Sequence, residues 1–458
     1  MSQWDTERAP GPDDPLGQCV YGSRLLGAQP ALVLHGGGNT SVKTTVDDPV
    51  GGPVEVLYVK GSGWDLATIE RAGFTALRMD RLRGLLHLDR LSDSAMMNEL
   101  RCARLDASAP DPSVESLLHA LLPYPAVQHS HADALIALTN QPDGARLVRE
   151  ALGDGVLIVP YVMPGFDLAK ECTRLIPADL SPSTRGIVLL NHGLFTFGGS
   201  TQEAYRTHLE LIGAVERFLG PASPVASGAR PAFAGVDIAR LRREISAAAG
   251  APMVVSRHDD ESVRAFVARP DLAALAGRGP LTPDHVIRTK RVPLVGRDVA
   301  SYAREYRAYF AEHSTRRGET LTMLDPAPRV LLDPGYGMLT AGRRAADADI
   351  AADIYRHTIN TIGRAERVGR YQALPAADIF DVEYWELEQA KLRRAVAVAP
   401  FTGEVALVTG AASGIGKACS AALRHRGAAV IGVDIDPAVR DVVQAPDYLG
   451  VPADVTDA

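Results

Sequence analysis

The chain has 458 residues, 46% of them apolar and 22% charged, with a formal net charge of -7. That balance excludes a disordered or fibrous protein, and the length asks for two or three folded units. With no basic stripe to neutralise phosphates along a duplex, no nucleic-acid partner is expected.

The four cysteines, Cys19, Cys102, Cys172 and Cys419, are scattered without paired spacing, which favours a reducing compartment. Asp, Glu, Pro and Gly fill the N-terminal region where a secretory signal needs an apolar run. No stretch approaches the apolar length of a membrane span. The expectation is a cytoplasmic protein with no membrane partner.

From residue 30 to 219, short apolar runs alternate with helical patterns, as in a single α/β unit, with strands at 54–59, 156–159 and 187–190. Near its start stands His35-Gly-Gly-Gly-Asn39-Thr-Ser41-Val-Lys43. Consecutive glycines ending at Gly38 let backbone N–H groups approach a phosphate, and Asn39, Ser41 and Lys43 add donors and charge. It is not a Walker A loop, because Val42 stands where that motif needs glycine before the lysine. The turn Lys60-Gly61-Ser62-Gly63 closes a strand and offers further amides.

Glu115 follows, in Pro112-Ser-Val-Glu-Ser-Leu-Leu-His119, at a helix start with Ser113 as its N-cap. Two readings are open: a carboxylate set against the helix dipole, or a general acid/base. His119, one turn further on, reads as a packing or supporting residue.

Next comes Ala126-Val-Gln-His129-Ser-His131-Ala-Asp133. Residues two apart on an extended segment share a face, so His129 and His131 can hold one metal ion together. His192, in Leu189-Leu-Asn-His-Gly-Leu, is the third candidate. Three neutral imidazoles leave an open position on zinc, as catalytic sites do.

The segments Gly-Gly-Asn-Thr-Ser-Val-Lys, Pro-Ser-Val-Glu-Ser, His-Ser-His-Ala and Asn-His-Gly-Leu, in that order, resemble the class II aldolase/adducin family of fuculose- and rhamnulose-phosphate aldolases. The resemblance implies a three-layer α/β/α domain and zinc on His129, His131 and His192. It further implies Glu115 as acid/base and a sugar phosphate held by Asn39, Gly61, Ser62 and Ser113. No match is found for the tyrosine that some members lend from a neighbouring subunit. A homo-oligomer is the family expectation.

The Pro-rich stretch 220–231 reads as a linker. It separates an aldolase core, residues 1–220, from an extension, 221–397, that carries an echo of the first unit. Gly193-Leu-Phe-Thr-Phe-Gly198 with Ile212-Gly-Ala-Val-Glu-Arg217 returns as Gly337-Met-Leu-Thr-Ala-Gly342 with Ile362-Gly-Arg-Ala-Glu-Arg367. Chance and a degenerate repeat both remain open. If it is a repeat, Tyr336 stands at the place of His192, and the second copy cannot rebuild a three-histidine site.

A third unit, 398–458, opens with a strand at 405–408 followed by Thr409-Gly410-Ala-Ala-Ser413-Gly414-Ile415-Gly416, a helical run and a second strand ending at Asp434. Strand, glycine turn, helix and acidic strand end form a dinucleotide-binding Rossmann unit. The motif resembles the short-chain dehydrogenase version, in which Asp434 favours NAD and Asp454 lies on the adenine side. The chain stops before the Ser, Tyr and Lys of that family, so this unit is read as truncated.

The order of units resembles the bifunctional rhamnulose-phosphate aldolase/dehydrogenase family. The resemblance implies cleavage of a ketose 1-phosphate to dihydroxyacetone phosphate and a hydroxyaldehyde such as lactaldehyde. The alternatives are a sugar-phosphate epimerase, whose branch carries aspartate in place of Glu115, and a non-catalytic adducin-like interaction module.

Overall fold

The computed structural model describes residues 3–35, 37–176, 180–181, 183–221, 235–317, 321–393 and 398–457, without the side chains of 390–393. Most of the stretch expected as a linker, 222–231, lies outside the described residues.

Among the described residues fourteen strands form three sheets. The first sheet contains β1 (Asn39–Asp48), β2 (Gly52–Lys60), β3 (Phe74–Arg78), β4 (Ala126–Ser130), β5 (Val156–Val159), β6 (Gly186–Leu189) and β7 (Gly193–Gly198). Their spatial order is β3-β2-β1-β4-β7-β6-β5, antiparallel throughout except for the parallel β5 and β6.

Alternate residues of one strand enter different cores, which is how period two builds layers. Leu194 on β7 joins Leu135, Leu147 and Leu211 on one face of the sheet. Its neighbours Phe195 and Phe197 join Leu118, Leu168 and Cys172 on the other. Helices therefore cover both faces, and each large side chain so buried contributes about 1.5–3 kcal/mol.

The second sheet contains β8 (Val254–His258), β9 (Leu294–Val295), β10 (Val330–Asp333) and β11 (Gly337–Gly342), in the order β8-β11-β10-β9. It repeats the registers of the first. Gly186 pairs with Thr196 across β6 and β7, and Val330 pairs with Thr340 across β10 and β11. His129 faces Phe195, and Arg257 faces Leu339. Each hairpin leads into a long helix, Thr201–Leu219 in the first unit and Ala345–Val368 in the second.

The first of these helices shows why it starts where it does. Ser200 Oγ accepts from Glu203 N at 3.2 Å while Glu203 Oε2 accepts from Gly199 N at 2.8 Å, so two end amides are satisfied reciprocally.

Counted by these registers, Arg257, Asp259 and Tyr336 stand in the second unit where His129, His131 and His192 stand in the first, and Arg257 contacts both of the others. Arg257 pairs with Asp259 at 3.1 Å and donates to the Tyr336 carbonyl at 2.8 Å.

The two units share a core. Leu332, Met338, Tyr355, Ile359 and Ile362 lie in the same apolar cluster as Leu194 and Leu135. Polar contacts fix the packing: Gln141 Nε2 donates to the Ala365 carbonyl at 2.9 Å, and Asp133 pairs with His357.

The third sheet is all parallel, with β12 (Val405–Thr409), β13 (Ala429–Asp434) and β14 (Tyr448–Pro452) in that order. The helix Gly414–His425 crosses between its first two strands. Among the described residues no helix is long and apolar enough to cross a membrane. All four cysteines are free thiols.

Candidate metal centre and its cavity

His129 lies on β4 between Asn39 of β1 and Phe195 of β7. His131 stands just beyond the same strand end. His192 sits in the turn between β6 and β7, where Asn191 takes a φ of 57°, a conformation that asparagine tolerates better than most side chains. Gly193 follows because nothing larger fits: a Cβ there would lie 2.3 Å from the Ser130 carbonyl and 2.8 Å from the His129 ring.

The sequence spacing thus delivers its three imidazoles to one point. A ligand atom from each falls within 4.8 Å of the others, a separation at which the three can hold one metal ion. His129 Nδ1 donates to the Leu194 carbonyl at 3.1 Å, which puts its proton on that nitrogen and leaves Nε2 as a lone-pair donor. His131 Nε2 is 3.1 Å from that Nε2. Burial, and then the neighbouring imidazoles, hold His129 well below the usual histidine range, and burial brings His131 down to about 4. Both are therefore neutral near pH ~7, the form that ligates metal.

Glu115 stands beside this point. Its Oε2 accepts from Asn39 Nδ2 at 2.5 Å and lies 3.5 Å from His129 Nε2, while Oε1 lies 3.3 Å from His192 Nε2. The helix begins later than expected, at Ser116, with Glu115 itself at the N-cap and making no capping bond. Ser113 Oγ instead accepts from Glu115 N and from Asn39 Nδ2, both at 3.2 Å. The carboxylate is turned toward the imidazoles and away from the helix end.

His119 is fully buried and braces Asn39, its Nε2 on Asn39 Oδ1 and its Nδ1 at 2.7 Å from Ser41 Oγ. Burial lowers it to about 3. It is a neutral support, as the sequence suggested.

A cavity opens beside the imidazoles, lined by Gly38, Asn39, Gly61, Ser62, Ser113, Glu115, His131 and His192. Gly38 turns the chain there at a φ of 64°, and a Cβ would meet the His129 carbonyl at 2.7 Å.

Two residues expected among the phosphate ligands lie elsewhere. Ser41 is engaged with His119, and Lys43 Nζ donates to the carbonyls of Leu122 and, at 2.9 Å, Tyr124. Nor does the Gly61–Ser62 turn offer free amides. Gly61 N donates to the Gly73 carbonyl and Ser62 N to the Asp111 carbonyl, each at 2.7 Å.

Sequence reasoning missed Lys60, which lines the cavity and directly precedes that turn, a position that could have flagged it. It also missed Asp284, Val382, Trp385 and Glu388, which reach the cavity from the second unit. Trp385 Nε1 donates to Asp93 Oδ2 at 2.9 Å, and Asp93 Oδ1 accepts from Phe166 N at 2.9 Å.

Away from this centre, the glycine turn Gly410–Gly416 lies at the C-terminal ends of the parallel strands, where open α/β sheets bind ligands. Ser413 is the N-cap of the helix Gly414–His425, and Ile415 is exposed. Asp434 Oδ2 accepts from Ala412 N at 2.9 Å, so the acidic strand end and the turn meet. Backbone N–H groups of Asp436 and Ala412 hold the Asp434 carboxyl below its usual range. Asp454, just past β14, is held low by Thr456, whose hydroxyl donates to it at 2.7 Å.

Residues 18–219 match the class II aldolase and adducin N-terminal domain, and residues 234–392 match the second domain of class II aldolase. The chain is 32% identical over 462 aligned residues to an uncharacterized oxidoreductase of Bacillus subtilis, YuxG, covering 94% of this chain and 66% of that relative. It thus spans just under two thirds of that protein's length. Among solved structures, the N-terminal class II aldolase domain of a Thermoplasma acidophilum protein is 42% identical over 48% of this chain and 99% of that one, at a TM-score of 0.45. The l-fuculose-1-phosphate aldolase of Thermus thermophilus is 17% identical over 44% of this chain and 95% of that one, at a TM-score of 0.29.

Proposed function

Since the chain carries both class II aldolase domains, we propose that it is a zinc-dependent aldolase that cleaves a ketose 1-phosphate into dihydroxyacetone phosphate and a hydroxyaldehyde. The observation that carries this reading is the convergence of three imidazoles with the Glu115 carboxylate, whose Oε1 lies 3.3 Å from His192 Nε2. The donor set suits zinc: nitrogen ligands, three of them, with a position open to substrate. When bound there, the ion supplies Lewis acidity toward a carbonyl or enediolate oxygen.

The residues around it then have distinct tasks. Cleavage breaks the bond between C3 and C4 of the ketose: the C4 hydroxyl gives up its proton as that carbon becomes the aldehyde, and the electron pair of the broken bond stays with the dihydroxyacetone phosphate carbon. That carbon must gain a proton, and Glu115 is the group placed to hold and deliver it. Asn39, anchored by His119, fixes the carboxylate for this transfer. Gly38, Asn39, Ser62, Ser113 and Lys60 take the phosphate end, because they line the cavity beside the carboxylate and supply donors and charge. Rhamnulose 1-phosphate, which would give lactaldehyde, is the first substrate to test.

Residues 398–458 we read as part of an NAD-binding dehydrogenase unit, supported by the parallel strands, the glycine turn and Asp434 at its edge. The oxidoreductase name of the Bacillus subtilis relative fits that reading. Residues 221–397 we read as a degenerate copy of the first unit, on the strength of the shared registers.

Incubating the chain with a panel of ketose 1-phosphates and assaying dihydroxyacetone phosphate tests the aldolase reading. Release from at least one member supports it. Epimerised ketose phosphate without any triose phosphate would move the chain to the epimerase branch.

A further inference from the structure

His131 has an unsettled outer face. Its Nε2 meets His129 Nε2 at 3.1 Å, and with both Nε2 atoms turned to one metal ion the His131 proton would sit on Nδ1. That Nδ1 is buried and makes no hydrogen bond. The carboxylate nearest to it is Asp284, with Oδ1 at 3.7 Å, and Asp284 belongs to the second aldolase domain.

We infer that Asp284 is a positioning residue for the metal: a carboxylate lent by the second domain that accepts the His131 Nδ1 proton and holds the ring with Nε2 toward the ion. The inference rests on the reading of the three histidines as a metal site. A carboxylate behind a ligating imidazole fixes its tautomer and raises its basicity, and losing such a partner typically costs about 10- to 100-fold in metal affinity or activity. Moving from 3.7 Å to a hydrogen bond needs a shift of about 1 Å, the kind of tightening that sites undergo when a ligand is bound.

The backbone around Asp284 is built to hold this position. Asp284 lies in the short 3-10 turn Pro283–His285, where proline pre-sets the chain. Just before the turn, Asn140 Nδ2 donates to the Leu281 carbonyl at 2.7 Å. The same Asn140 accepts, through Oδ1, from Asn191 Nδ2 at 3.2 Å, and Asn191 directly precedes His192. One asparagine therefore ties the loop bearing Asp284 to the loop bearing a metal ligand. The second domain is on this account part of the metal centre, in addition to lining its cavity.

The test compares zinc affinity of the full chain and of its Asp284→Ala and Asp284→Asn variants, by competition with a fluorescent chelator, alongside thermal unfolding of the metal-free proteins. Alanine should weaken zinc about 10- to 100-fold with little change in metal-free unfolding. Asparagine keeps an acceptor oxygen and should recover most of the loss. Asp284→Ala binding zinc as tightly as the parent, in a folded protein, would overturn the inference and leave the three-histidine site standing. A parent chain without zinc affinity would instead overturn the reading on which it rests.

Discussion

Glu115 Oε1 faces His192 Nε2 at 3.3 Å, inside the space on which all three imidazoles converge. On the proposed reading this carboxylate is the acid/base. Glu115→Gln keeps its shape and hydrogen bonding but cannot carry a proton. Turnover should fall about a hundred- to ten-thousand-fold while bound metal stays near the parent level. Steady-state kinetics with metal analysis on the same preparation checks this, and near-parental turnover would reduce Glu115 to a structural role.

Asn39 is the brace between Glu115 and His119. Asn39→Ala strips hydrogen bonds from a carboxylate and an imidazole that are both buried, and each unsatisfied group costs about 1–3 kcal/mol. Urea unfolding of the metal-free protein should show a loss of that order. An unchanged midpoint would mean that the network relaxes without it.

Metal should stabilise the fold by mass action. At free zinc about 100 times its dissociation constant, the folded state gains about 2.7 kcal/mol. The gain, read as a rise in the unfolding temperature, should vanish in His192→Ala. Equal stabilisation of parent and variant would place the metal elsewhere.

Acid should destabilise the protein through buried neutral histidines. His208 bridges Ser130 Oγ at 2.7 Å and Thr196 Oγ1 at 2.9 Å, and burial lowers it from 6.5 to about 3. The unfolded chain takes up a proton that the folded one refuses. Its stabilising contribution is therefore full above 6.5 and lost as pH falls from there toward about 3. Each pH unit in that window costs about 1.4 kcal/mol per such histidine. His208→Gln should lose less stability between pH ~7 and ~5 than the parent does, by about that slope. Parallel acid profiles would contradict the assignment.

For the third sheet, Asp434→Ala should weaken NAD binding about ten- to a hundred-fold, the loss of hydrogen bonds to a charged acceptor. Isothermal calorimetry on the full chain reads it directly. Binding of NAD unaffected by the change would move the nucleotide away from this strand end.

The residues legible in the sequence were those set by local spacing. His129 lies on β4, His131 two residues on just past its end, and His192 in the turn of the adjacent hairpin, so pattern alone brought them together. Reading the glycine-rich segment as a phosphate loop misled at Ser41 and Lys43. They alternate on one face with Asn39, but a strand advances about 3.3 Å per residue, which carries them past the cavity to His119 and to the carbonyls after its helix. Asp284, Val382 and Trp385 were illegible for a different reason. They reach the cavity only because the second domain docks through a shared core, a long-range contact with no local signature. The echo between the two units was visible as Gly-rich turns before helices, yet the positions of Arg257 and Asp259 became comparable to His129 and His131 only through strand registers.

The most direct test of the account is a metal titration of cleavage. Metal-free protein is prepared with chelator, zinc is returned in steps, and dihydroxyacetone phosphate release from a cleavable ketose 1-phosphate is followed for the parent and His192→Ala. The account predicts no release without metal, recovery that saturates at about one equivalent per chain for the site of three imidazoles, and none in the variant at matched zinc. Full release in the presence of chelator, or the same recovery in His192→Ala, would contradict it.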